Sequence, residues 1–237
     1  MEFEKISSPS LRELFVQQLE HMILSGKLPV GTKLPPERQL SQEMQVSRAV
    51  INGGISDLEK KGFLIVKPRS GTYVADYRRN GTAETLLAIM NYNGGRLKQE
   101  EVRSILEVRI ALDTLAATLC TSHITDKELD YLEALTGRIK DAVSIDEAVN
   151  AAYEFQHEFA LASGNTLIPL IFSSFKVAVT SLWERFCVLY GTDALYENTV
   201  SLLGFLKNRD TQGAIEWINK SVAQSIDGNR KDRKSVV

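Results

Sequence analysis

LPPERQLSQEMQVSRAVINGGISDLEKKGFLIVKPRSGTYV, residues 34–74, decides the fold of this chain. Pro35 and Pro36 cannot continue a preceding helix, but Pro36 suits a first helical position, so a short helix is expected from there to about Met44. A tight turn ends at Val46. Ser47 can then cap a second helix by accepting from a free backbone N–H, and Ile51, Ile55 and Leu58 follow at spacings of four and three as one buried stripe. Gly62 stops that helix. The chain next turns β-like: Phe63 to Lys67, a Pro68-Arg69-Ser70-Gly71 turn, and Thr72 to Val74 form a hairpin. Two helices crossed over a short turn and followed by a hairpin describe a winged helix-turn-helix, whose second helix is the one expected to enter a DNA major groove.

With those residues in view, the stretch resembles a known family. Leu34-Pro35-Pro36-Glu37-Arg38, Leu40, Val46-Ser47-Arg48, Leu58, Lys61-Gly62 and Gly71-Thr72-Tyr73-Val74 look like the DNA-binding domain of GntR-type bacterial transcription regulators, over roughly residues 8 to 75. The resemblance implies contacts to double-stranded operator DNA from Arg38, Ser47 and Arg48, with Arg69 and Gly71 at the wing. The chemistry agrees: Arg48 in the first turn can present its planar fork to guanine O6 and N7, while Ser47 and the helix N-terminus can meet phosphate. One departure stands out. Where the family has an Arg-Glu-Ala-Leu run, this chain has Asn52-Gly53-Gly54-Ile55, so a second base-reading arginine is replaced by Asn52, which can pair bidentately with adenine. Two helical glycines cost about 1 kcal/mol each relative to alanine, so a softer reader helix is expected.

Outward from this stretch, Ser8-Pro9 can start a helix whose Leu11, Leu14, Phe15, Leu19, Met22 and Ile23 repeat at three and four, stopping at Gly26. After the hairpin, Asp76 to Thr82 is polar and reads as a linker, Ala83 to Tyr92 as a connecting helix, and Asn93-Gly94-Gly95 as its end. The division expected is a winged helix-turn-helix domain over 1–77, linker and connecting helix over 78–95, a helical domain over 96–228 and a disordered basic tail over 229–237. At 237 residues the chain has room for two domains. Its net charge of −2 divides unevenly: residues 1–78 carry 11 basic and 9 acidic side chains, so DNA affinity must come from local placement of arginines. Cys120 and Cys187 lie in no metal-like spacing and suit a reducing cytosol; no apolar run reaches the length of a membrane span, and the N-terminus is no signal peptide. A cytoplasmic location is the expectation.

From Arg96 onward the pattern is almost entirely helical: Glu100 to Ser122, Asp126 to Val143, Asp146 to Ser163, one long helix from Leu167 to Tyr190, Leu195 to Asn208 and Asp210 to Ile226. The fold class expected is therefore mainly α: a winged helix-turn-helix with a small β-hairpin, then an antiparallel bundle of six or seven helices. Residues 105–113 (ILEVRIALD), the Phe155 region leading to Ala162-Ser163-Gly164-Asn165, and the last helix pair resemble the effector and dimerisation domain of the FadR branch of the same family, the FCD-like domain, over roughly residues 84 to 227.

Many members of that branch hold a metal with one Asp and three His. Alignment on Phe155 and Ser163-Gly164-Asn165 places those positions at Ala152, Gln156, Thr199 and Ser221, none of them a usual ligand for a transition metal. No metal and no cofactor is expected. His157 is one position off, and a register using it would put Tyr153 at the Asp position. The acyl-CoA-responsive members also lack the ligands, so the resemblance implies a small-molecule effector such as an acyl-CoA, a fatty acid or another carboxylate, bound by Arg109 with Gln156, Thr199 and Ser221 around it. The plainer reading of Arg109 is a structural pair with Glu107 or Asp113. His21, His123 and His157 read as surface or packing residues, and Trp183 and Trp217 as core or dimer-seam residues. Lys60 or Lys61 could touch phosphate. No nucleophile–base arrangement, phosphate loop or paired-carboxylate motif is visible, so catalysis has no carrier. The expectation is a homodimeric, effector-controlled regulator on a palindromic operator; the rival is a metabolite-binding helical protein whose Asn52-Gly53-Gly54 reader has degenerated.

Overall fold

The computed structural model describes residues 9–92 and 99–227; the expected stop at 93–95 and the tail at 229–237 lie outside them. The chain divides into two compact units after Asn93. The first holds α1 (Leu11–Leu24), α2 (Glu37–Glu43), α3 (Arg48–Lys60), β1 (Leu64–Lys67), β2 (Gly71–Val74), α4 (Tyr77–Asn80) and α5 (Ala83–Asn91). Ser10, rather than Ser8, caps α1: its hydroxyl accepts from Glu13 N while the Glu13 carboxylate accepts from Ser10 N, a reciprocal box. Pro36 sits one position before its expected place, as the cap of α2. Gly62, at φ +73°, follows the end of α3, where a Cβ would fall 2.4 Å from the Asn80 carbonyl oxygen.

The core of this unit joins Phe15, Leu19 and Ile23 of α1 to Leu40, Ile51, Ile55, Leu58, Phe63 and Val74. The two strands pair antiparallel in the register Leu64–Val74 to Lys67–Gly71, and residues 31–34 add a further edge: Leu34 N donates to Thr72 O at 2.9 Å and Val74 N to Thr32 O at 2.9 Å. The segment from 78 to 92 is held to this same unit. Ala88, Ile89 and Tyr92 pack on its core, the Thr85 hydroxyl donates to the Lys61 carbonyl, and the Tyr92 ring lies 5.5 Å from that of His21.

Gly53 and Gly54 acquire a reason. A Cβ on Gly54 would lie 2.2 Å from Phe15 Cδ1, and one on Gly53 3.0 Å from Arg12 Nε. The glycines let α1 lie directly on the backbone of α3, where Phe15 fills the space and Arg12 makes a two-pronged bond to Asp57 at 2.6 and 2.5 Å. The expected softness of α3 is thus offset by packing, and α3 runs unbroken from Arg48 to Lys60.

The second unit contains seven helices among its described residues: α6 (Gln99–Cys120), α7 (Asp126–Lys140), α8 (Ile145–Ala162), α9 (Ile168–Ser174), α10 (Lys176–Tyr190), α11 (Thr192–Lys207) and α12 (Thr211–Asp227). Thr125 and Ser144 cap α7 and α8, and the Asn165 side chain accepts from Leu167 N and Ile168 N at the start of α9. The single helix expected over Leu167–Tyr190 is two. The chain turns at Phe175 (φ −94°, ψ 2°), which buries Phe172 and Phe175 together beside Ile105 and Val179. Ala116, Ala117, Leu132, Phe155, Phe159, Leu203, Leu206 and Ile218 form the centre of the bundle, with α12 packed along α6 and α7 along α8.

Candidate functional site

On the first unit, the residues expected to read DNA stand at the starts of α2 and α3. Ser47, extended at φ −68° and ψ 153°, accepts on Oγ from Val50 N at 3.3 Å and so begins α3 with Arg48 in its first turn. Arg38, Ser47, Arg48 and Asn52 are all exposed. Asn52 stands one turn beyond Arg48 on the same face; with its amide oriented to satisfy both neighbours, Nδ2 donates to Glu37 Oε2 at 2.7 Å and to Arg48 O at 3.3 Å. That bond ties the start of α2, where Arg38 follows Glu37, to the first turns of α3.

The hairpin tip carries Arg69 in the left-handed region (φ 61°) and Gly71 at φ +120°, where a Cβ would come within 2.9 Å of Lys33 Cε. Two cations missed in the sequence join it. Lys67 Nζ lies 4.9 Å and Lys33 Nζ 5.8 Å from the centre of the Tyr73 ring, and Tyr73 Oη and Ser70 Oγ are 2.7 Å apart. The Ser70 hydrogen bond and the two ammonium groups hold the Tyr73 phenol below its usual range. Lys33 was invisible because the strand-like pairing of residues 31–34 leaves no local signature. Lys61, offered as a phosphate contact, instead bonds Glu20 at 2.8 Å.

In the second unit, a cavity of about 70 Å³ lies between α6, α8, α10, α11 and α12. Arg109, Gln156, Thr199 and Ser221 all line it, as does Ala152; Tyr153 and His157 do not. His157 stacks on Tyr153 at 6.0 Å instead. Arg109 takes the plainer pairing with Asp113, Nε to Oδ2 at 3.1 Å, while Glu107 pairs with Arg103 at 3.5 Å. Gln156 Nε2 donates to the other Asp113 oxygen at 2.7 Å. Burial pushes the Asp113 carboxyl up, against the opposing pull of Arg109 and Gln156. Trp183 is buried and Trp217 packs against the core, as the core reading expects, and both also wall the cavity: the Arg109 guanidinium sits 4.8 Å from the Trp183 ring, and Trp217 Nε1 donates to Asn198 O at 3.1 Å. Thr199 Oγ1 donates to Leu195 O at 2.9 Å, which uses its hydrogen and keeps its lone pairs as acceptors.

The chemistry available here is recognition. Ala152 offers a methyl group, Gln156 an amide and Thr199 and Ser221 hydroxyls, a donor set that does not fit a transition metal. Among the described residues no three His, Cys, Asp or Glu side chains gather at one point. Burial pushes the Cys120 thiol up to about 12 and that of Cys187 to about 11, so neither is a ready nucleophile. No described helix is long and apolar enough to cross a membrane.

Comparison with known proteins agrees with both halves. The family described as bacterial regulatory proteins, gntR family, matches residues 11–74, and the FCD domain matches residues 104–224, about half of the chain. The HTH-type transcriptional regulator YcbG of Bacillus subtilis is 26% identical over 177 residues, 75% of this chain and 72% of that one. LutR, an HTH-type transcriptional regulator of the same organism, is 30% identical over 144 residues, covering 61% and 63% of the two chains. The solved structure of Lar, which controls the expression of the Listeria monocytogenes agr system, superposes with a TM-score of 0.63 over 93% of this chain and 97% of that one, a likeness of fold at 14% identity. A winged helix-turn-helix with an exposed helix start, a bundle of helices and these two family matches together place the chain in the GntR family of bacterial regulatory proteins, an FCD-containing DNA-binding transcription regulator and not an enzyme.

Proposed function

We propose that this regulator binds a palindromic operator as a homodimer in the cytoplasm, through Arg38, Ser47, Arg48, Asn52, Arg69 and Gly71, and that a compact carboxylate held by Arg109, Gln156, Thr199 and Ser221 controls it. The observation that carries the effector half is the cavity: four side chains scattered from position 109 to 221 converge on one space from four helices. Its size favours a compact ligand, since about 10–15 Å³ of cavity suffices for one water; an acyl chain would require the bundle to open. A carboxylate offers the guanidinium the planar, two-pronged partner that Asp113 now supplies singly through Nε. The homodimer is supported by exposed Leu167, Leu170, Val188 and Leu189 on α9, its approach and α10, apolar surface that a second copy would cover.

Native mass spectrometry of the full chain tests assembly and copurified ligand together, and electrophoretic mobility with DNA flanking its own gene tests binding. A monomer that binds DNA one protein per site would contradict the dimer. Effector action requires a difference in affinity between DNA-bound and free protein, so a small carboxylate that binds the cavity without altering operator affinity would contradict the control.

A further inference from the structure

The pairing of Asn52 with Glu37 has a consequence for which bases the reader accepts. An asparagine that recognises adenine bidentately needs one amide hydrogen and the amide oxygen together. Here both hydrogens of Nδ2 are directed within the protein, one to Glu37 Oε2 at 2.7 Å and one to the Arg48 carbonyl at 3.3 Å. What remains is Oδ1, an acceptor and nothing else. In the major groove only two bases present a donor, adenine through its N6 amino group and cytosine through its N4 amino group; guanine and thymine present acceptors there.

We infer that Asn52 is a specificity-determining residue that reads a base amino group, accepting adenine or cytosine and rejecting guanine and thymine, with Glu37 as the positioning residue that fixes its polarity. This rests on the proposed DNA contact face. It deepens that reading by reversing the hydrogen-bonding sense of the position: an arginine there donates and selects guanine, whereas this amide accepts. Glu37 is suited to the role because a carboxylate has no hydrogen to offer and so can only hold the amide by its N–H side. Both residues are exposed, so neither is needed to fill the core.

In vitro selection of full-length protein on randomised duplex DNA, followed by sequencing, tests this with four proteins. Wild type should enrich sites in which one position per half-site is shared between adenine and cytosine, with guanine and thymine depleted about three- to tenfold, the range of one net hydrogen bond. Asn52→Arg should turn that position to guanine. Glu37→Ala frees an amide hydrogen and should narrow it to adenine, while Glu37→Gln, which can hold the amide by its N–H or its C=O side, should relax the polarity and admit guanine and thymine as well. Sites whose sequence is indifferent to Asn52→Arg would overturn the assignment of Asn52 as a reader. A wild-type preference for adenine alone, unchanged in Glu37→Ala, would overturn the role of Glu37. Failure of wild type to enrich any sequence would overturn the contact face itself, a distinct result.

Discussion

Replacing Gly54 with alanine sets two known effects against each other on one helix. The substitution should gain about 1 kcal/mol in helix propensity. It also places a methyl carbon 2.2 Å from Phe15 Cδ1 and 2.7 Å from Cε1, where carbon pairs prefer about 3.5–4.0 Å. Phe15 is 2% exposed and cannot swing away, so the ring or α1 must shift by more than an ångström, and overpacking of this kind costs about 1–3 kcal/mol. At so close a contact the upper part of that range applies, for a net loss of about 1–2 kcal/mol. Gly53→Ala gains the same propensity but meets only the Arg12 guanidinium at 3.0 Å, the end of a flexible, exposed side chain whose pairing with Asp57 is screened by solvent. It should be neutral or slightly stabilising. With roughly 4–8 °C per kcal/mol for a unit of this size, Gly54→Ala should melt about 5–15 °C below wild type and Gly53→Ala at or above it. Far-ultraviolet circular dichroism of the full chain measures the shift; emission from Trp183 and Trp217, both in the second unit, serves as the internal control. A Gly54→Ala protein as stable as Gly53→Ala would refute the packing argument and return the glycines to a mere softening of α3.

Arg38→Ala or Arg48→Ala should weaken specific operator binding by about 1–3 kcal/mol for a base contact, read by mobility shift; unchanged affinity in both would remove this face as the reader. Lys67→Ala at the wing should lower the slope of log affinity against log salt by about 0.9, the signature of one phosphate contact, without altering sequence preference. Burial raises the Asp113 carboxyl, so its contribution to stability is complete below the ordinary aspartate value of about 3.9 and is lost as pH rises through the folded value. Denaturation followed by tryptophan emission should show that decline in wild type and lose it in Asp113→Asn; identical pH profiles would argue against a raised carboxyl. Elemental analysis should find no stoichiometric zinc, nickel or manganese, and a chelator should leave Tm unchanged; one tightly bound metal per chain, lost in His157→Ala, would move the ligand register by one residue.

The winged helix was legible because its signals are local. Pro36, Ser47 and Gly62 punctuate α2 and α3 within a few residues of where each acts, and the apolar spacing of three and four in the second half translates directly into helices. The cavity positions were legible for a related reason: Ala152 and Gln156 lie one turn apart on α8, so a correct anchor at Phe155 carries both. What escaped depends on partners distant in sequence. Phe15 explains Gly54 across 39 positions, and Asp113 engages Gln156 across 43. The break at Phe175 has neither proline nor glycine at the turn; it comes from two phenylalanines that must both reach the core. Position 37 reads as an ordinary acidic residue in a first helical turn until Asn52 is placed beside it.

The cavity in the second unit also bears on what a metal centre would require here. Ala152, Gln156, Thr199 and Ser221 come from three helices and line one small space, so substitutions at these four positions would gather new side chains there. Ala152→Asp with Gln156→His, Thr199→His and Ser221→His would furnish a carboxylate and three imidazoles in one construction, a set suited to zinc. Asp113, released from the Gln156 amide, would then stand where an outer carboxylate can orient the new imidazole at 156. The present pocket is organised instead by the internal pair of Arg109 and Asp113.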